Sequence, residues 1–378
     1  MYKICYIVNR EREVTERKKQ RRRTLVVKEE TMNSIGERVR VARMAKGLSQ
    51  RALAAKIGVS AMAVSKYERE MDLPGSGVML RLSKALEMKP EFFFRQIRLD
   101  LSEPKYRCAK TLKLKEKKII EAKAKESVER FLEAQDLLAP EGRFNGFNAE
   151  ISIKVQEDVE NAALKMRKDW DLGEDSIENL TQILEDHGFC VQGLPWIEKF
   201  VACTFMIQSA NKRPVIVFNS NSTIPGDRQR FSLAHELGHL CMAINDGVAH
   251  ETAANRFAGA FLVPRRKVYF ELGNKRRHLD IEELLHLKLK YGLSMRGWIH
   301  RAEDLGILPS KEAVRLKRLF KDKGWDKKEP GDQLPQEQPA RLKQMVLKAL
   351  SEEQITHSRA AEILGVPLTE VLHRTAFK

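Results

Sequence analysis

Cysteine is scarce in this chain and scattered where it occurs. The five residues, Cys5, Cys108, Cys190, Cys203 and Cys241, are odd in number and never stand as C-x-x-C. That argues against a disulfide framework and against a cysteine-built zinc cluster. Long apolar runs are also missing: no stretch approaches the ~20 residues needed to span a bilayer, so no membrane partner is expected. The opening residues, MYKICYIVNRERE, turn charged at once and lack a signal peptide's apolar core and small-residue cleavage site. The expected location is therefore cytoplasmic. Acidic residues fall well short of basic ones, 52 against 68, for a formal charge of +16. Such an excess suits a polyanion partner, most simply DNA, but charge alone does not read a sequence.

What is present is 378 residues, 42% of them hydrophobic, enough for two or three domains with sizeable cores. The run RKKQRRR lies in a basic, flexible arm at 1–33. A helical unit is expected at 34–95, and a linker with an amphipathic helix at 96–150. A larger α+β domain with helices dominant is expected at 151–325, a proline- and charge-rich linker at 326–341, and a small helical unit at 342–378. Within the α+β region, SIKVQEDVENAALKMRKDW and SIENLTQILEDHG read as helices, and FCVQGL, VACTFMI and PVIVFNS read as strands.

In the first helical unit, Ile35, Val39 and Ala42 share one face and Gly47 ends the helix. Ser49 is placed to cap a second helix and Gly58 breaks it; Ser60 is placed to cap a third. Val59 and Val64 would fill the space between these two short helices, with Ala54 small enough for a close crossing. The stretch LSQRALAAKIGVSAMAVSKYERE resembles the XRE, lambda-repressor-like, helix-turn-helix family over about residues 34–94. The resemblance implies double-stranded DNA as partner, with the second helix of the motif in the major groove. Ala61, Met62, Ser65 and Lys66 would then meet base edges and Ser60 a phosphate. Gln50 would touch the backbone or an adjacent base, and Arg51 and Arg69 would bind phosphates. Ala61 and Met62 offer only apolar contact, so modest specificity per half-site is expected, raised by pairing as a homodimer. The tail repeats the spacing: Ala54, Gly58 and Val59 correspond to Ala361, Gly365 and Val366, which suggests a second helix-turn-helix-like unit.

The stretch FSLAHELGHLCM contains H-E-x-x-H. In a helix, residues four apart project from one face, so His235 and His239 can reach one metal ion while Glu236 sits one step round. Two imidazoles suit zinc, and a carboxylate at Glu236 suits a general base. A third protein ligand is needed. His250, Glu251, His278 and His286 lie downstream, and spacing alone does not choose between His250 and Glu251.

RQRFSLAHELGHL followed by ETAANRFAGAFLVP resembles the ImmA/IrrE family of metallopeptidases, and the flanking PVIVFNSNSTIPGD and LHLKLKYGLSMRGWIHRAEDLGIL agree. The resemblance covers about residues 157–325. It implies a zincin-like fold, zinc or alternatively manganese as the metal, and Glu251 as third ligand, four residues before Asn255. FLVP stands where the family often has LLMP, a mild packing change. The whole reads as a multidomain, DNA-binding transcriptional regulator whose peptidase domain cleaves a repressor-type protein in a stress or mobile-element response. The alternative is a non-proteolytic transcription factor, or antitoxin-like repressor, whose metal domain senses a ligand or holds a partner.

Overall fold

The protein is known here from a computed structural model, which describes residues 35–94, 101–106, 112–138, 147, 150–195, 200–208 and 212–375. The basic arm at 1–33 lies outside the described residues. Among them, 35–94 and 113–126 group as one unit, and 101–112 with 127–375 as a second.

The first unit opens with α1 (residues 35–45). It continues with α2 (Gln50–Ile57), α3 (Ala61–Glu68), α4 (Ser76–Leu86) and a single 3-10 turn at Pro90–Phe94. Local chemistry explains the breaks. The Ser49 hydroxyl accepts from Ala52 N at 3.1 Å and the Ser60 hydroxyl from Ala63 N at 3.1 Å. Between them Gly58 takes the left-handed conformation, φ 66° and ψ 45°, without the steric cost a side chain would carry. Val39, Leu53, Ile57, Val64, Leu82, Leu86 and Phe93 form the core.

Next come β1 (Lys105–Tyr106) and α5 (Leu114–Leu138). Ala122 of α5 packs with Val41 and Ala45 of α1, within the first unit. The later part of the helix, with Phe131, belongs to the second unit, where the Arg213 guanidinium lies 5.7 Å from the Phe131 ring.

The second unit continues with β2 (Ile151–Ile153), α6 (Asp158–Asp169), α7 (Leu180–Asp186), β3 (Cys190–Leu194), β4 (Ala202–Ile207) and β5 (Arg213–Asn219). α8 (Gly226–Cys241), β6 (Met242–Ile244), α9 (His250–Leu262), α10 (Arg265–Leu272), α11 (Ile281–Tyr291), α12 (Met295–Asp304) and α13 (Ser310–Asp322) follow. The sheet order is β1-β4-β5-β3, with β4 antiparallel to β5 and β3 parallel to it. All seven residues of β5 are buried, as an interior strand covered on both faces should be. The helices α8 and α9 pack into one core with Ile216, Leu237, Phe257, Phe261 and Trp298. No helix among the described residues is long and apolar enough to cross a membrane.

Three expectations need correction or addition. The helix expected from Ser152 starts only at Asp158, and Ile151–Ile153 is a strand paired in parallel with Met242–Ile244. The Asp158 carboxylate accepts from Lys154 N and Val155 N, which closes the chain into a turn and sets the later start. The helix expected from Ser176 is shorter, Leu180–Asp186, because the Asn179 side chain caps it by accepting from Gln182 N. Lys105–Tyr106, inside an expected linker, adds an edge strand to the sheet.

The expected linker at 326–341 has neither helix nor strand up to α14, yet it is fastened along its length. Leu334 O accepts from Gly226 N at 2.7 Å, and the Gln229 side chain bonds both the N–H and the carbonyl of Glu337. The Glu337 carboxylate accepts from Thr181 N and pairs with Arg230. Glu329 accepts from Met295 N and Arg296 N, both at 3.0 Å, and pairs at 3.1 Å with Lys288, which is fully buried and also faces Asp227 at 3.5 Å. Carboxylates thus satisfy the unpaired amides at the starts of α7 and α12. α14 (Arg341–Ser351), α15 (His357–Leu364) and α16 (Leu368–Thr375) complete the chain.

Candidate functional site

Helix α8 carries His235 and His239 one turn apart, with Glu236 between them in sequence and 1% exposed. α9 lies close against α8 where residue 238 is glycine. A Cβ there would stand 3.0–3.3 Å from Phe257 of α9. That close crossing places the first turns of α9 beside the two imidazoles.

Three ligand atoms converge. His235 Nε2 and His239 Nε2 are 3.0 Å apart, and the Glu251 carboxylate oxygens lie 3.5 Å and 3.3 Å from them. A tetrahedral zinc with bonds of about 2.05 Å separates its ligand atoms by about 3.3 Å, so the present spacings fit a first-row metal with little movement. His235 is buried, His239 is partly exposed, and the Glu251 side chain is 67% exposed, so the cluster opens to solvent on the α9 side. Glu251 sits in the first turn of α9, where a carboxylate is favoured by the exposed helix amides.

A residue that sequence reasoning did not assign a role completes the arrangement. Asn255, one turn beyond Glu251, holds its Oδ1 2.9 Å from His235 Nδ1. A carboxamide oxygen only accepts, so the proton belongs on Nδ1 and the Nε2 lone pair is left for a metal. The signal was in the motif itself: a helix that presents Glu251 presents Asn255 on the same face. Behind α9, Arg256 and Arg301 both meet the buried Glu160 carboxylate, Arg301 through two bonds at 2.5 and 3.1 Å. His250 heads the same helix but is not in the cluster. Among the described residues, His235, His239 and Glu251 are the group arranged to hold a cation, and His278 and His286 stand outside it.

In the first unit, Val64 is fully buried and Val59 N bonds Ala54 O at 3.1 Å, so α2 and α3 are fixed to each other. The expected DNA-facing residues separate into two sets. Met62 is 63% exposed, and Arg51, Lys66 and Arg69 are also exposed. Ser65 is half-buried, and Arg69 Nε donates to its carbonyl. The others have local duties. Ser60 caps α3, Ala61 packs on the core, and Gln50 donates to Glu68, which also pairs with Arg43. The tail repeats the same turn. Gly365 is left-handed, φ 68° and ψ 31°, Val366 N bonds Ala361 O at 3.0 Å, and Val371 is buried where Val64 is. At the positions that correspond to Ala61, Met62, Ser65 and Lys66 stand Leu368, Thr369, Leu372 and His373, all exposed.

These observations define a class: a helix-turn-helix unit and a His-His-Glu centre on one chain. Comparison with known families agrees. Residues 39–93 match the family described as Helix-turn-helix, and residues 203–303 match the IrrE N-terminal-like domain of the peptidase M78 family. The helix-turn-helix match implies DNA binding. Two curated relatives are the uncharacterized HTH-type transcriptional regulators y4wC and y4aM of Sinorhizobium fredii. Each is 38% identical, over 60 and 63 residues. Those alignments cover 16% and 17% of this chain and 42% and 44% of the relatives, so the chain spans less than half of their length.

Proposed function

We propose that this is a cytoplasmic, DNA-binding transcriptional regulator whose second unit is a zincin-like, zinc-dependent endopeptidase acting on a repressor-type protein. The observation that carries the proposal is the convergence of two Nε2 atoms and a carboxylate at spacings of 3.0 to 3.5 Å. Two imidazoles and a carboxylate, with no thiolate, are a donor set suited to zinc, with manganese as the alternative. Zinc, when bound, supplies Lewis acidity toward water and a peptide carbonyl.

The remaining work falls to this chain's own groups. His235 is held in one tautomer by Asn255. Glu251, at the exposed lip, completes the ligand set. Glu236 takes the proton of the attacking water on its carboxylate and returns it to the leaving amine. The DNA-reading unit, proposed at 34–95 and acting as a homodimer on a two-fold site, directs the molecule to its operator through Met62, Ser65 and Lys66, with Gln50, Arg51, Ser60, Ala61 and Arg69 at its margins. The peptidase domain is proposed at 151–325.

A second reading is supported by the description of both relatives as transcriptional regulators: the metal unit senses a ligand or holds a partner and cuts nothing. Glu236→Gln separates the two. Under the peptidase reading the variant keeps its metal and its operator binding but loses regulation in cells. Retained regulation in that variant, together with loss in Lys66→Ala, would establish the second reading instead.

A further inference from the structure

The basic charge of this chain is not confined to the DNA-reading unit. Residues 35–94 carry eleven Lys and Arg against six Asp and Glu, while the much shorter segment 310–328 carries eight against three. That segment is α13 and the turn after it. Along α13, at 100° per residue, Lys311, Arg315, Arg318 and Lys321 fall within an arc of about 120°. All four are exposed. The opposite face, Ala313, Leu316 and Phe320, is buried in the core, so the basic arc points to solvent by necessity.

A neighbouring loop adds to it. Arg276 N donates to Ile307 O at 2.8 Å, which ties the 275–278 loop to the turn leading into α13, and His278 lies within electrostatic reach of Glu312. Lys275 and Arg277 of that loop are exposed. Among the described residues, no carboxylate stands within ion-pair distance of Lys275, Arg277, Lys311 or Lys321. The acidic groups beside this face are Glu312, held by Arg315 through two bonds of 2.7 Å, Asp322, 4.0 Å from Arg318, Glu283, paired at 2.8 Å with Arg276 of the loop, and the exposed Asp280.

We propose that the α13 arc and the 275–278 loop form a second, sequence-independent contact for the phosphate backbone of double-stranded DNA, carried by the metal-binding unit itself. Charge complementarity favours this occupant. Val314, 61% exposed, is the sole apolar side chain on the arc, so the face lacks the apolar centre of a protein–protein interface, while its three lysines and three arginines suit phosphates. Contacts to phosphates carry no sequence information, so the face adds affinity without selecting a sequence. Because it shares a chain with a sequence reader, its weak contacts act at high effective concentration once the reader is engaged.

The test uses the full-length protein and a 30-base-pair duplex of random sequence, with affinity measured across a salt series. In a Lys275→Gln, Arg277→Gln, Lys311→Gln, Arg318→Gln variant the slope of log K against log salt becomes shallower by about 3 to 4, at about 0.9 for each phosphate no longer neutralised. Between 50 and 200 mM salt this shrinks the fall in affinity roughly 100-fold. A slope equal to that of the unaltered protein overturns the proposal. So does binding of poly-glutamate by this face with the DNA slope unchanged, which would assign it to an acidic protein. If circular dichroism shows the fourfold variant unfolded, Asp322→Asn decides. It tightens duplex binding by about two- to fivefold, the size of one exposed charge interaction; no tightening overturns the proposal.

Discussion

Asn255 offers the sharpest test of the metal centre, because it touches no metal itself. Asn255→Ala removes the oxygen 2.9 Å from His235 Nδ1, and with it the acceptor that fixes the tautomer of a fully buried imidazole. Loss of a group that orients a histidine ligand weakens metal binding by about 10–100-fold, or about 1.4–2.8 kcal/mol at 1.4 kcal/mol per decade. The expected outcome is a zinc dissociation constant raised by one to two decades. Asn255→Asp keeps the acceptor and adds charge, so it should hold zinc at least as tightly as the unaltered protein. Competition against a chromophoric chelator at fixed pH measures both. An unchanged zinc affinity in the folded Asn255→Ala protein would refute the tautomer argument and the role given to α9.

Three further outcomes follow from the same geometry. His239→Ala removes one of two imidazoles and should purify with less than a tenth of the zinc of the unaltered protein by elemental analysis, with its helix content unchanged by circular dichroism. Gly238→Ala sets a methyl group 3.0 Å from the Phe257 side chain and should lower the denaturant midpoint by the equivalent of about 1 kcal/mol; an unchanged midpoint would mean that Phe257 shifts by the few tenths of an ångström the methyl needs. Gly58→Ala must adopt φ 66° with a side chain and should cost about 1 kcal/mol, read as weaker operator binding together with a lower melting temperature of the first unit.

The parts legible in the sequence are those written in short-range chemistry. Ser49, Gly58 and Ser60 announce their turn within a dozen residues, and His235 and His239 announce a shared face through spacing alone. The strands β3, β4 and β5 are legible as apolar, β-branched runs. What stays hidden depends on partners far along the chain. Ile151–Ile153 looks like the start of a helix until Met242–Ile244 is available to pair with it. Spacing alone does not choose Glu251 over its neighbour His250; the family resemblance favours Glu251, and the packing of α9 on α8 brings its carboxylate to the imidazoles. The helices α10 and α13 go unannounced, although α13 buries Ala313, Leu316 and Phe320 at helical intervals. The segment after Trp325 reads as a connector because proline and charge dominate it; its carboxylates acquire meaning only opposite Arg230, Lys288 and the starts of two helices.

That fastened segment bears on how the molecule can be dissected. A fragment ended near residue 303, where the family match stops, would lack Glu329 and Glu337 along with everything after them. Lys288 would keep one acidic neighbour instead of two, Arg230 would be stripped of its carboxylate, and Gly226, the first residue of the helix that carries both histidines, would give up its hydrogen bond to Leu334. The smallest piece that keeps these contacts therefore runs at least to Glu337, and a shorter one reports on its own frayed end.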